Sequence, residues 1–296
     1  MSVSRVVFSA SHQSHQPGRK YSPEPIIGVT LILFDRQIKL RFNPIFGQTY
    51  VMPSDPVNLN KAFSAAHATT TSIAALLLLR YASWPVPLPR SASTQDTNEK
   101  EQHLDDTQNP MINGHNRMAN ALTAWETVYL LYDTYAMVRT YRMKNRLSFR
   151  AALGVAARSS PVAFAHHVLL SSAFLVLQAY IAAGKEKGIW VITAFLLMNG
   201  STPLMHARWW NRQQTGTSNT AIDVAFLTTF AASRFGVVVW ILTKYGQHHG
   251  IGPWQSYTML RKRCQIGTAM LVGLNGLWWT ILAVNVVKRN IKRRLY

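Results

Sequence analysis

Residues 267–287 read GTAMLVGLNGLWWTILAVNVV, 21 consecutive positions without a charged side chain. At a rise of about 1.5 Å per residue, such a run crosses the ~30 Å hydrocarbon layer of a bilayer as one α-helix, with its backbone groups satisfied inside the segment. Lys288, Arg289, Lys292, Arg293 and Arg294 follow at once, the kind of basic tail that sets the orientation of a membrane helix. Five more runs of similar length lie upstream, at 62–82, 118–138, 161–183, 188–207 and 220–243. Together they predict an all-α protein: a multi-pass transmembrane helical bundle of about six helices.

The remainder of the 296-residue chain is organised around those runs. Mean hydropathy is near zero because polar stretches at 1–61 and 90–117 offset the apolar segments. Residues 26–34, IIGVTLILF, are too short to span as a helix and are expected to form a short strand or an interfacial element. No apolar segment precedes Arg19-Lys20, so no signal peptide is expected. The N-terminal region 1–61 is expected to be poorly ordered or interfacial. Residues 90–117, rich in Asn, Gln and acids, read as a flexible polar loop. The transmembrane domain is then 62–287 and the basic tail 288–296.

A net charge of +19 raises nucleic-acid binding, but the basic residues sit between apolar runs rather than beside aromatic or polar readers. With six helices both termini share one side. The segments on that side carry twenty Lys and Arg residues against nine on the other, which predicts cytosolic termini. The single cysteine, Cys264, excludes an intramolecular disulfide and a thiolate-rich metal site.

Ionisable groups within spans are costly and face a bundle interior or a cavity, usually with a partner. Counting at ~1.5 Å per residue from the cytosolic helix ends, His67, Asp133, His166 and His167 lie roughly 8–9 Å deep, in one layer. His206 and Asp223 lie nearer the same surface. Glu126 and Arg234 sit about 18–21 Å in, and an ion pair between them is expected. His67 on its own fits a helix-to-helix hydrogen bond. Asp223 fits a helix N-terminal group with its carboxylate in headgroup water. His166 and His167 point about 100° apart, so both cannot be casual lipid-facing residues. Asp133 is a suitable partner to fix a tautomer and raise basicity.

Two other chemistries fit less well. A di-iron site needs many converging histidines, and His248-His249 fall on the opposite face, so no metal is expected. Gly200-Ser201-Thr202-Pro203 breaks the fourth run, as transporter helices are broken, but no inverted repeat accompanies it.

The ordered set of these features resembles the TLC-domain family of multi-pass membrane proteins, which includes ceramide synthases and non-synthase members of lipid homeostasis. The matching residues are Ser64-x-x-His67-Ala68, Tyr132-Asp133, His166-His167, Ser201-Thr202-Pro203 with Arg208-Trp209, and Phe230 with Arg234. The resemblance runs from about residue 62 to 285. It implies a helical bundle around a lipid-accessible cavity in the endoplasmic reticulum or a related membrane, with membrane lipids as partners and no cofactor. Carried over, His166 and His167 would be the nucleophile or base, Asp133 their support, and His67, Asn199 and His206 would line the cavity. The synthases follow their histidine pair with a His-Asp and an Asp motif in the next helix. Here that helix reads MNGSTPLMHARWW, without those acids. A non-synthase role, binding or regulating sphingolipid or phospholipid composition, is therefore expected first. Acyl transfer through His166-His167, with acyl-CoA as co-substrate, is the alternative.

Overall fold

A computed structural model describes residues 56–87 and 105–295, and every regular element among them is helical. The element expected at 26–34, the rest of the chain up to residue 55 and the loop 88–104 lie outside the described residues.

Helix α1 (Pro56–Tyr81) starts inside the expected N-terminal region, at a proline that has no amide hydrogen to leave unsatisfied. The short α2 (Pro110–Asn113) and the 29-residue α3 (Arg117–Asn145) are each capped by an asparagine. Asn109 accepts from the Met111 amide and Asn116 from the Ala119 amide. The described end of the loop expected to be flexible is thus built into the fold, and Asn109 is fully buried. Arg146, left-handed at φ 52, ends α3, and Ser148 caps α4 (Phe149–Ser159), whose Ala152 and Ala156 pack against Val138.

Helix α5 (Pro161–Ala182) follows, then a broken run. α6 (Ile189–Phe195) passes through a 3₁₀ turn, Leu196–Ser201, into α7 (Thr202–Thr215). Pro203 supplies no backbone donor, which is compatible with the loss of α-type bonds just before it. α8 (Thr220–Ala231) continues through a π segment, Ala232–Gly236, into α9 (Val237–His249). The short α10 (Pro253–Met259) precedes the long α11 (Lys262–Leu295).

Among the described residues, four stretches are long and apolar enough to cross a membrane: Val57–Tyr81, Pro161–Ala182, Thr220–His249 and Lys262–Ile291. Of the other two expected spans, α3 is long enough but carries Glu126 and Asp133, and the α6–α7 run is interrupted. The protein is a helical membrane bundle, whose described residues supply four apolar helices, one long polar helix and one broken helix.

The apolar helices are not equally buried. Ser171 is the one buried residue of α5, which packs one side along α3 and leaves the apolar residues of its other side exposed. α1 instead packs against α3, the 3₁₀ turn and α7. At one end a core forms around Met111, Trp190, Met198, Val238, Ile241 and Tyr245, with the Trp190 and Trp240 rings 5.2 Å apart. Residues 83–87 and 105–116 and the connections 184–187 and 244–266 meet there. The Gly188 amide donates to Ile112 O at 2.7 Å, and Tyr245 Oη donates to Asp106 at 3.0 Å. Gly246 allows α9 to meet the turn into α10, since a Cβ there would lie 2.4 Å from Ile251 O and 2.5 Å from Ser256 Oγ.

Candidate functional site

Two polar stripes face each other inside the bundle. On α1, Asn60, Ser64, His67 and Thr71 follow the i, i+4, i+7, i+11 spacing that lines one side of a helix. On α3, Glu126, Tyr129 and Asp133 do the same. The stripes pair in antiparallel register as a ladder of three rungs. Asn60 Nδ2 donates to Asp133 Oδ1 at 3.2 Å, Tyr129 Oη donates to Ser64 Oγ at 2.7 Å, and His67 Nε2 meets Glu126 Oε2 at 3.0 Å.

Other elements complete the ladder. From α7, His206 Nε2 lies 3.0 Å from Ser64 Oγ. Ser64 accepts from Tyr129, so its own hydroxyl proton is available to His206, and the three side chains form a hydroxyl relay. From the 3₁₀ turn, Asn199 Nδ2 donates to the second Glu126 oxygen at 3.2 Å. Thr71 Oγ1 lies 3.2 Å from His67 Nε2. The ring proton of His67 sits on Nε2 when Glu126 is ionised and on Nδ1 when Glu126 is neutral, and Nδ1 is buried with no hydrogen-bond partner among the described residues. The His67 ring stacks on Tyr129 with centroids 3.6 Å apart. His67, Glu126 and His206 are all buried. Lys61 lies 4.7 Å over the Trp209 ring, at the Asp133 end of the ladder.

The tandem histidines of α5 divide between two neighbours. His167 Nε2 lies 3.7 Å from Asp133 Oδ2, an ion-pair separation longer than a hydrogen bond, and His167 Nδ1 is buried without a partner. His166 turns toward α11, where its ring meets Trp278 edge-on at 5.5 Å. Arg234 is within electrostatic reach of His166.

The structure therefore gathers His67, Asp133, His167, Asn199 and His206 around one ladder, with His166 directed to its flank. Two expectations are corrected. Glu126 is held by His67 and Asn199, not by Arg234, which lies 5.4 Å over the Phe230 ring with its Nε unpartnered. Similar depth does not give similar azimuth, and Arg234 falls in the π segment, where an α-helical count of angle no longer holds. Asp223 is in the first turn of α8, but its carboxylate is buried rather than in headgroup water, and it receives Arg208, Arg212 and Arg289.

Asn60, Thr71 and Tyr129 are site residues that the depth count missed, and Ser64 had been noted only as part of a motif. The signal for them was the helical spacing of polar residues on α1, which a search for ionisable groups alone passes over. Among the described residues no three His, Cys, Asp or Glu side chains converge as a metal site. What the ladder can do is present donors and acceptors of graded strength to a polar group, and move a proton along a hydroxyl–imidazole path.

Residues 59–285 match the family model for the TLC domain. No curated protein matches the chain, and no solved structure does.

Proposed function

This chain belongs to the TLC-domain family, and from that premise we propose that it binds the polar part of a membrane lipid at the α1–α3 ladder and acts in lipid homeostasis. The observation that carries this is the run of hydrogen-bonding groups from Asn60 and Asp133 to Glu126 and Asn199, inside a bundle whose α5 exposes an apolar side. Imidazole nitrogens there without a partner among the described residues, His67 Nδ1 and His167 Nδ1, can pair with the hydroxyl and amide groups of a sphingolipid, or with the hydroxyls of a phospholipid headgroup. The excess of Lys and Arg on the segments that share a side with the termini supports cytosolic termini, in the endoplasmic reticulum membrane that the family resemblance suggests.

Acyl transfer is the second reading, favoured by one observation: His167 faces Asp133 while keeping a nitrogen without a partner. In that chemistry an amine attacks the thioester carbon of acyl-CoA and the C–S bond breaks. The imidazole takes the amine proton and returns it to the departing thiolate.

One preparation tests both. Full-length protein is purified in mild detergent and its bound lipids are identified by mass spectrometry, beside the Asp133→Asn and His167→Gln variants of matched melting temperature. Lipid binding predicts a sphingolipid or phospholipid enriched on the parent protein and depleted at least severalfold on both variants. Equal retention on all three rejects the ladder as the lipid site. Labelled acyl-CoA with a sphingoid base, added to the same samples, gives an amide product lost in His167→Gln only if the second reading holds.

A further inference from the structure

At the end of the bundle where α7 stops and α8 begins, Asp223 gathers three guanidinium groups. Arg208 Nε donates to Oδ1, Arg212 Nη2 donates to the same oxygen at 3.3 Å, and Arg289 Nη2 donates to Oδ2 at 3.2 Å. One carboxylate cannot balance three cations, and its side chain is only 3% exposed. Beside the cluster opens a cavity of about 320 Å³ lined by Arg208, Arg212, Leu282, Asn285, Lys288 and Arg289. Four cationic side chains and no acid form that lining.

The cations differ in how far they are already used. Arg208 is buried and lies over the Phe226 ring, so its charge is committed to the fold. Arg212 and Arg289 are each about a third exposed, and each keeps a buried Nε–H with no acceptor. Lys288 has no carboxylate partner among the described residues, and it is exposed. Four cationic side chains around a partly desolvated cleft, with one carboxylate among three of them, call for an anion with several acceptor oxygens, the geometry guanidinium groups match best. The apolar wall, Leu282, lies on the hydrocarbon side of Lys288 along α11, as the start of an acyl or glycerol chain would require.

We propose that this cavity binds a phosphate group with net negative charge, carried by a lipid headgroup or by a soluble phosphoester, with Arg212, Lys288 and Arg289 as its ligands. The site shares no residue with the ladder, so it stands or falls separately from the lipid reading given above.

The test titrates full-length protein in detergent with four probes: dihexanoyl-phosphatidic acid, dihexanoyl-phosphatidylcholine, glycerol 3-phosphate and inorganic phosphate. The readout is the melting temperature by tryptophan fluorescence. A saturable rise with phosphatidic acid and none with phosphatidylcholine is expected. Lys288→Gln should raise the half-saturating concentration about tenfold, and Lys288→Arg should restore it. Lys288 is exposed and unpaired, so both variants should melt like the parent when no ligand is present. A response confined to phosphatidic acid assigns the site to a headgroup, and an equal response to glycerol 3-phosphate or inorganic phosphate assigns it to soluble phosphate. No saturable response to any phosphate, or the same response in parent and Lys288→Gln, overturns the proposal.

Discussion

His67 and Glu126 meet at 3.0 Å with 1% and 6% of their side chains exposed, one rung of a ladder between two antiparallel helices. Away from water, neither group can replace a lost partner, so the pair is best tested by a double-mutant cycle. His67→Leu or Glu126→Leu alone should each destabilise by about 3 kcal/mol, because the group that remains loses its closest buried partner and keeps only Asn199 or Thr71. The double change should cost less than the sum of the two. Arg234→Leu combined with Glu126→Leu should instead be additive. Unfolding in mixed micelles measures all three cases, and strict additivity at His67 and Glu126 would reject the coupling.

Asp223 holds together three cations that repel one another when it is lost. Asp223→Ala should therefore lower stability by roughly 3–5 kcal/mol, more than Arg289→Gln, which removes one partner of several. High salt should narrow the gap, since the exposed parts of Arg212 and Arg289 are screened. Melting temperatures of the three proteins at low and high salt decide it.

At the opposite end, His115 Nδ1 meets Glu186 Oε1 at 2.9 Å and ties α3 to the α5–α6 connection. Burial pushes the Glu186 carboxyl up, but the His115 hydrogen bond, its own backbone amide and Asn120 outweigh that and hold it below the ordinary glutamate value. A depressed folded-state value contributes stability above the unfolded value and loses it as pH falls through the folded one. The stability difference between parent and Glu186→Gln should be greatest near neutral pH and shrink on acidification below the ordinary glutamate range. A difference that stays constant with pH would show that the carboxylate charge is not what matters there.

Gly246 has no room for a methyl group against Ile251 O and Ser256 Oγ. Gly246→Ala should separate α9 from the turn into α10 and destabilise by about 1–3 kcal/mol, despite the better helix propensity of alanine. Hydrogen exchange at the Ile251 amide, which donates to Gly246 O at 2.9 Å, should speed up. Unchanged protection there would mean that the contact gives way at little cost.

Much of this architecture was legible in the sequence because a bilayer leaves the chain few choices. Uncharged runs of about 20 residues must be helices, and buried ionisable groups must find company. That logic, with the family resemblance, singled out Asp133, His167, His67, Asn199 and His206, which the fold brings near one another. It failed where the helix was not regular. A depth count supplies height but no angle, and it assumes a uniform rise. The fourth run contains a 3₁₀ turn and the fifth a π segment, each of which shifts everything beyond it. Arg234 lies in one of these segments, which is why its partner was misassigned. Asp223 failed for another reason: its three arginines come from two other helices, two on α7 and one on α11, and only the folded chain brings them together.

The three rungs between α1 and α3 have a mechanical consequence. Displacing one helix by half a turn against the other would part an amide from a carboxylate, a phenol from a hydroxyl and an imidazole from a carboxylate, the last pair buried where water cannot take the lost partner's place. The two helices therefore have no gentle sliding coordinate. They are held as a toothed rack holds its pawl, and any rearrangement around the ladder has to come from the elements around it or in steps of a whole turn.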